Sequence, residues 1–112
     1  MKYKHEAIFC IVNSGYSEAV MNAAKKIGAK GCTVINAFGT AAKEAETFFH
    51  ITVQPEKEIV MILVPKTIKD AVLHALYNDV GLNSAGQGIA FSVPVDSVVG
   101  LAEESPKTEE KA

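Results

Sequence analysis

The chain has 112 residues, which is the length of a single domain, and 48% of them are apolar, enough for one core. Its net charge of −2 and pI of about 5.9 argue against a nucleic-acid partner. All 11 basic residues are lysines, which excludes bidentate arginine clamps on phosphate. No apolar run is long enough to span a membrane, and the two cysteines indicate buried thiols of a reducing compartment. We therefore expect a cytoplasmic protein without membrane insertion.

The first third of the chain predicts a strand followed by a helix. Ala7–Val12 is a continuous apolar run, typical of a strand that is buried on both faces. Ser17–Ile27 follows with helical periodicity, because four apolar residues share one face, and Gly28 ends it. Those four residues are Val20, Ala23, Ala24 and Ile27.

The middle of the chain predicts a second strand and a loop. Cys32–Phe38 is rich in residues that favour extended backbone. Thr40–Thr47 has no strand pattern, small residues and three charges, so we expect it to be the most mobile internal segment. Phe48–Val53 alternates in hydrophobicity, which indicates a half-buried strand or the arm of a hairpin.

The last third predicts a strand, a helix and a final strand. Ile59–Val64 is the most apolar stretch and indicates a central strand. A helix opens at Pro65-Lys66-Thr67 and ends at Gly81. A polar loop with glycines then leads to the strand Ile89–Val95. The core stripe of the helix is formed by Ile68, Val72, Leu76 and Val80.

This order of elements predicts an α+β fold of the ferredoxin-like βαββαβ type, with a four-stranded antiparallel sheet and two helices on one face. Residues 1–102 form this domain, and residues 103–112 are predicted to be a disordered charged tail. Ala7–Val12 and Ile59–Val64 are apolar on both faces, yet helices cover only one. We therefore expect oligomerisation through the open face.

Four local motifs stand out along the chain. They are Glu6-Ala7-Ile8, Gly31-Cys32-Thr33-Val34, Phe38-Gly39, and Gly86-Gln87-Gly88 with Phe91, Pro94 and Val95. Together they give the chain a resemblance to the P-II nitrogen-regulatory proteins and their divergent relatives, over about residues 5 to 101. The last motif is the most specific, because it resembles the family's B-loop.

The resemblance implies a homotrimer that binds an adenine nucleotide in clefts between subunits. It also implies a regulatory role without catalysis, in which the loop after strand 2 controls a partner protein whose identity stays open. No catalytic or metal residue is assigned. The ligand-binding residues that the resemblance implies are Cys32, Thr33, Phe38, Gly39, Gly86, Gln87 and Gly88.

The chain departs from the family pattern at the positions where family members have residues that contact phosphate or magnesium. The replacements at these positions are uncharged or acidic, so only backbone N–H groups remain to offset phosphate charge. We therefore expect weak adenine-nucleotide binding, with little preference for ATP over AMP. The departures are Ala41, Glu56, Ser84, Ile89, Gly100 and Ala102.

Other functions remain open from the residues alone. One alternative is a metal-responsive ferredoxin-like trimer of the CutA type, although the spacing of His5, His50 and His74 matches no known site. Another is a partner-binding module with no nucleotide site. An acylphosphatase would need an arginine, which the chain lacks. The thiols Cys10 and Cys32 could be adjacent in the sheet, but neither has a basic partner that would make it a nucleophile.

Overall fold

The computed structural model describes residues 3–39, 56–83 and 87–101. The predicted segments Thr40–Thr47 and Phe48–Val53 lie outside the described residues, as does the tail from residue 103. Within the described parts the elements follow in the order strand, helix, strand, strand, helix, strand. They are β1 (His5–Asn13), α1 (Ser17–Ile27), β2 (Cys32–Phe38), β3 (Glu56–Pro65), α2 (Lys66–Asp79) and β4 (Gly88–Val95).

The four strands form one antiparallel sheet in the order β2-β3-β1-β4. The two apolar strands, β1 and β3, are therefore the central pair, and His5 lies opposite Pro65. β2 and β4 form the two edges. This topology, with both helices packed on the same side, confirms the predicted ferredoxin-like sandwich.

The core lies between the sheet and the two helices. Alternate residues of β1 and β3 point into it, as the pleat requires. The predicted helix stripes are confirmed: Val20, Val72 and Leu76 are fully buried, and Ile27, Ile68 and Val80 pack around them. The buried apolar residues of the two central strands are Ile8, Cys10, Val12, Val60, Ile62 and Val64.

The other face of the sheet carries no helix and is apolar. Phe9 of β1 stacks on Phe91 of β4, with ring centroids 5.5 Å apart. Ile35 and Phe91 are each 44% exposed, and Ile89 is 59% exposed. Met61 faces the same side, because it pairs laterally with Phe9. This helix-free face is a contiguous hydrophobic surface of the kind that monomeric soluble proteins rarely leave open.

The helices run back along the sheet, so each end of the sandwich combines strand ends with helix ends. We call one end the loop end, where β1 and β2 finish and β3 and β4 begin. The opposite end, where α1 finishes and α2 begins, is the distal end. Neither helix of the described chain is long and apolar enough to cross a membrane.

Candidate functional site

Two of the predicted site residues, Phe38 and Gly39, lie at the loop end on the β2 edge. Phe38 pairs with Glu56 and leaves its side chain 80% exposed. A Cβ added to Gly39 would lie 3.4 Å from Cγ of Lys57, so the lysine side chain packs over this glycine. β2 therefore ends in an exposed aromatic ring, and the next residue is a glycine that lies under the side chain of Lys57.

Gln87 and Gly88 lie at the same end on the β4 edge, and the structure explains why residue 88 is glycine. Its φ is +152°, and a Cβ there would stand 2.3 Å from the backbone oxygen of Ile11. Any side chain would push β4 away from β1. This close approach is made to the subunit's own backbone. Gly86 lies outside the described residues.

The two remaining residues, Cys32 and Thr33, lie at the distal end of β2. Thr33 lies five residue steps along the strand from Phe38, which is a distance of about 17 Å. Thr33 is exposed on the helix-free face, where it pairs with Met61. Cys32 points towards the helices and is partly buried.

The predicted residues are thus not assembled within one subunit. β2 and β4 are separated by two strands, so Phe38 and Gly88 lie about 14 Å apart across the sheet. Cys32 and Thr33 lie further away at the other end. A site that uses both edges needs residues from a second copy of the chain.

A hydrogen-bonded cluster at the loop end was not foreseen from the sequence. Glu58 reaches from β3 to the start of α1, where its Oε1 accepts N–H bonds from Gly15 at 3.1 Å and Ser17 at 3.2 Å. Tyr16, at the N-cap position, makes no side-chain cap bond, so Glu58 caps the helix from a distant part of the chain.

A second contact ties the base of the loop to the end of β1. Lys57 donates from Nζ to Oδ1 of Asn13 at 2.6 Å, and the N–H of Ser14 donates to the backbone oxygen of Glu56 at 3.1 Å. The first three residues of β3 therefore hold the beginning of this strand, just after the loop, against residues 13–17. The alternating charges Glu56-Lys57-Glu58 before an apolar strand were the available sequence signal.

The charge at the loop end is unfavourable for a polyanionic ligand. Over the described residues, Lys57 is the sole lysine there, and it is engaged with Asn13. The carboxylates of this end are Glu18, Glu56, Glu58 and Asp79. A phosphate group bound here would rely on backbone N–H groups for most of its stabilisation.

The two thiols are unsuited to nucleophilic chemistry or to pairing with each other. Burial raises the pKa of Cys10 to about 12. Burial also raises the pKa of Cys32, partly opposed by the positive charge of Lys25. Strand β3 separates them, so their Cα atoms lie more than about 9 Å apart, beyond the reach of a disulfide. The suggestion that they are adjacent in the sheet is therefore wrong.

A metal site is not formed by the described residues, which contain no group of three or more potential ligands. His74 instead lies 2.9 Å from the side-chain nitrogen of Asn78, one helical turn away. His50, the third histidine considered from the sequence, lies outside the described residues.

Comparisons with known proteins identify the class. The family model of the nitrogen regulatory protein P-II matches residues 5–105, which is most of the chain. The chain therefore belongs to the P-II family, whose members are regulatory signalling proteins. Among curated protein sequences, none matches significantly.

Solved structures agree with the fold. The crystal structure of PII from Arabidopsis thaliana bound to citrate matches with a TM-score of 0.67 and 24% identity, covering 88% of this chain and 82% of that one. The B. subtilis GlnK–ATP complex matches with a TM-score of 0.65 and 21% identity, covering 86% and 85%. At these identities the likeness concerns the fold.

Proposed function

We propose that this protein is a P-II-like regulator that works as a homotrimer in the cytoplasm. It binds a small ligand between subunits and controls a partner protein through the loop after β2. It acts by binding, without catalysis. The observation that carries the proposal is the apolar helix-free face, together with the placement of the site residues on opposite edges of one sheet.

Assembly is supported by the face itself. Phe9, Met61 and Phe91 form a continuous apolar strip across the three strands β3, β1 and β4. Leaving such a strip in water is costly, at about 25 cal/mol for each Å² of apolar surface. Family members are typically trimers that bind small ligands and partner proteins, and a cyclic trimer places the β2 edge of one copy near a neighbour.

Ligand binding between subunits follows from that arrangement. Phe38 of one copy offers an exposed ring for stacking on a flat ligand, and Thr33 of a neighbouring copy offers a hydroxyl on the helix-free side of β2. The backbone N–H of Gln87 is the proposed donor on the β4 edge. The related GlnK was solved with ATP and the plant PII with citrate. An adenine nucleotide is the candidate ligand here, and the acidic loop end favours one with few phosphates.

Control of a partner is assigned to the loop between β2 and β3. The strands at both ends of this loop are paired in the sheet, where Phe38 of β2 lies opposite Glu56 of β3. The contacts of Lys57 and Glu58 fix the returning strand against residues 13–17. A ligand beside Phe38 therefore touches the base from which the loop departs, which is how binding can change the surface offered to a partner.

Calorimetric titration with ATP, ADP and AMP, with and without magnesium and 2-oxoglutarate, tests the ligand assignment. We expect weak binding of all three nucleotides with little preference among them. Thr33→Val should weaken binding without changing the unfolding midpoint, because it removes only an exposed hydroxyl. Lys30→Gln, an exposed change away from the sheet faces, is the matched control. Tight, magnesium-dependent ATP binding that 2-oxoglutarate strengthens would contradict the assignment.

A further inference from the structure

The charges of the subunit are segregated between its two ends. At the distal end, the residues before β1, the last turn of α1 with the loop after it, and the first turn of α2 all bring lysines together. These are Lys4, Lys25, Lys26, Lys30, Lys66 and Lys69, six of the seven described lysines. The acidic residues of this end are Glu6, Asp70 and Asp96.

Contacts in the structure show that these segments meet. The N–H of Lys66 donates to the backbone oxygen of Lys4 at 2.8 Å. A Cβ on Gly28, at the end of α1, would lie 3.8 Å from Cδ1 of Ile68 in the first turn of α2. Glu6 is 3% exposed and lies 3.5 Å from Nζ of Lys66, so its charge is turned inward. Among the described residues, the distal end therefore carries a net positive charge, with six lysines against three carboxylates.

The net charge of the chain does not describe this surface. β1 has nine residues, so the two ends are about 30 Å apart. The Debye length at physiological ionic strength is about 8 Å, so an approaching surface at the distal end does not feel the acidic loop end. Each end acts electrostatically on its own.

We propose that the distal end is a docking surface for an anionic lipid bilayer, a role that goes beyond the proposed regulatory function. Lysine ammonium groups from three segments, spread over the end of the sandwich, suit a flat anionic surface that needs no fixed pairing geometry. The absence of arginine disfavours bidentate recognition of individual phosphates. Val99, four residues after the distal end of β4, is 96% exposed and offers an apolar side chain at this end of the chain.

Trimer formation would strengthen this attachment, and this step alone rests on the proposed assembly. In a cyclic trimer the three distal ends are related by rotation about one axis. They face the same side of the assembly unless the strands lie perpendicular to that axis. Three weak contacts with one surface then act together. The loop end, which carries the base of the regulatory loop, points away from the bilayer.

The test is co-sedimentation of the full chain with vesicles of phosphatidylcholine containing about one third phosphatidylglycerol, at low and at high salt. Each lysine near an anionic surface changes partitioning about fivefold. Changing the exposed residues Lys25, Lys26 and Lys30 together to glutamine should therefore lower partitioning roughly a hundredfold. The matched arginine triple variant should retain it. Added salt should weaken binding of the wild-type chain.

Several results would overturn the proposal. They are equal binding to vesicles of pure phosphatidylcholine, an unchanged partition coefficient in the glutamine triple variant, and no vesicle binding at all. Binding of polyglutamate or duplex DNA through the same lysines, without vesicle binding, would assign the surface to an acidic peptide or to nucleic acid instead. The Met61→Asp variant, which is expected to be monomeric, separates this proposal from the proposed assembly, because its single distal end should still bind the same vesicles, only more weakly, and added salt should weaken that binding too.

Discussion

Replacement of Glu58 by alanine should destabilise the protein through the start of α1. The substitution removes the acceptor of two N–H bonds, from Gly15 and Ser17, and the negative charge at a helix N-terminus. Hydrogen bonds to a charged acceptor are worth about 1.5–3 kcal/mol when buried, and the carboxylate–helix interaction adds about 0.3–1 kcal/mol. Because the site is partly exposed, we expect a total loss of about 2 kcal/mol.

Urea unfolding followed by circular dichroism, at one fixed protein concentration, measures this loss. Glu58→Gln keeps an acceptor oxygen without the charge and should lose only about 0.5–1 kcal/mol. Glu56→Ala is the matched control, because the side chain is exposed and the bond to Ser14 uses the backbone oxygen. Amide exchange in the first turn of α1 should rise in Glu58→Ala alone. If Glu58→Ala and Glu56→Ala have the same midpoint, the reasoning fails.

Three other changes test separate features. Gly88→Ala should destabilise by more than about 2 kcal/mol in thermal unfolding, since its Cβ meets β1 backbone, whereas Gly31→Ala, with open space around it, should be neutral; equal melting temperatures would contradict this. Met61→Asp should convert the oligomer into folded monomers, which light scattering would detect as a lower mass. An unchanged mass would count against the helix-free face as the interface. Cys10 should resist alkylation at pH 8 until the protein unfolds. Because its folded pKa of about 12 exceeds the unfolded value, the stability it contributes is complete below pH 9 and falls by about 1.4 kcal/mol per pH unit between 9 and 12. The stability of Cys10→Ala should therefore fall less steeply between pH 9 and 12. An identical slope of stability against pH in both proteins would refute this contribution of Cys10.

The fold was largely predictable because its elements are encoded by local periodicity. The runs Ala7–Val12 and Ile59–Val64 are apolar on both faces, and the structure places both in the centre of the sheet as β1 and β3. The stripe of α2 is visible at intervals of four residues, and Val72 and Leu76 are fully buried. These patterns require no knowledge of distant neighbours.

The site was less predictable because its contacts join distant parts of the chain. Gln54–Lys57 resembles a turn in the sequence, yet β3 already begins at Glu56. The cap supplied by Glu58 spans 41 residues to Ser17. Only the register of β3 against β1 brings that carboxylate to the helix, and register is set by the whole sheet.

Gly88 shows how one residue type can have two explanations. A family motif and a glycine in a loop suggest close approach of a ligand, an idea that Gly88→Val would be chosen to test. The structure shows that Ile11 occupies the space where a side chain would lie. A loss of binding in such a variant would therefore report disrupted pairing of β1 and β4 as readily as a lost ligand contact. Thr33→Val separates these causes, because it leaves the strand pairing intact.

The distribution of charge connects the two proposals. The sequence shows a net charge of −2, from which neither an acidic nor a basic surface follows. Folding places six lysines at the distal end and leaves Lys57 as the described lysine of the loop end. A triphosphate would approach that loop end against the charges of Glu18, Glu56 and Glu58, while an anionic surface would approach the distal end with favourable charge. The same segregation therefore disfavours a highly charged nucleotide at one end and favours anionic lipid at the other. Salt should consequently act in opposite directions on the two interactions, strengthening triphosphate binding and weakening vesicle binding.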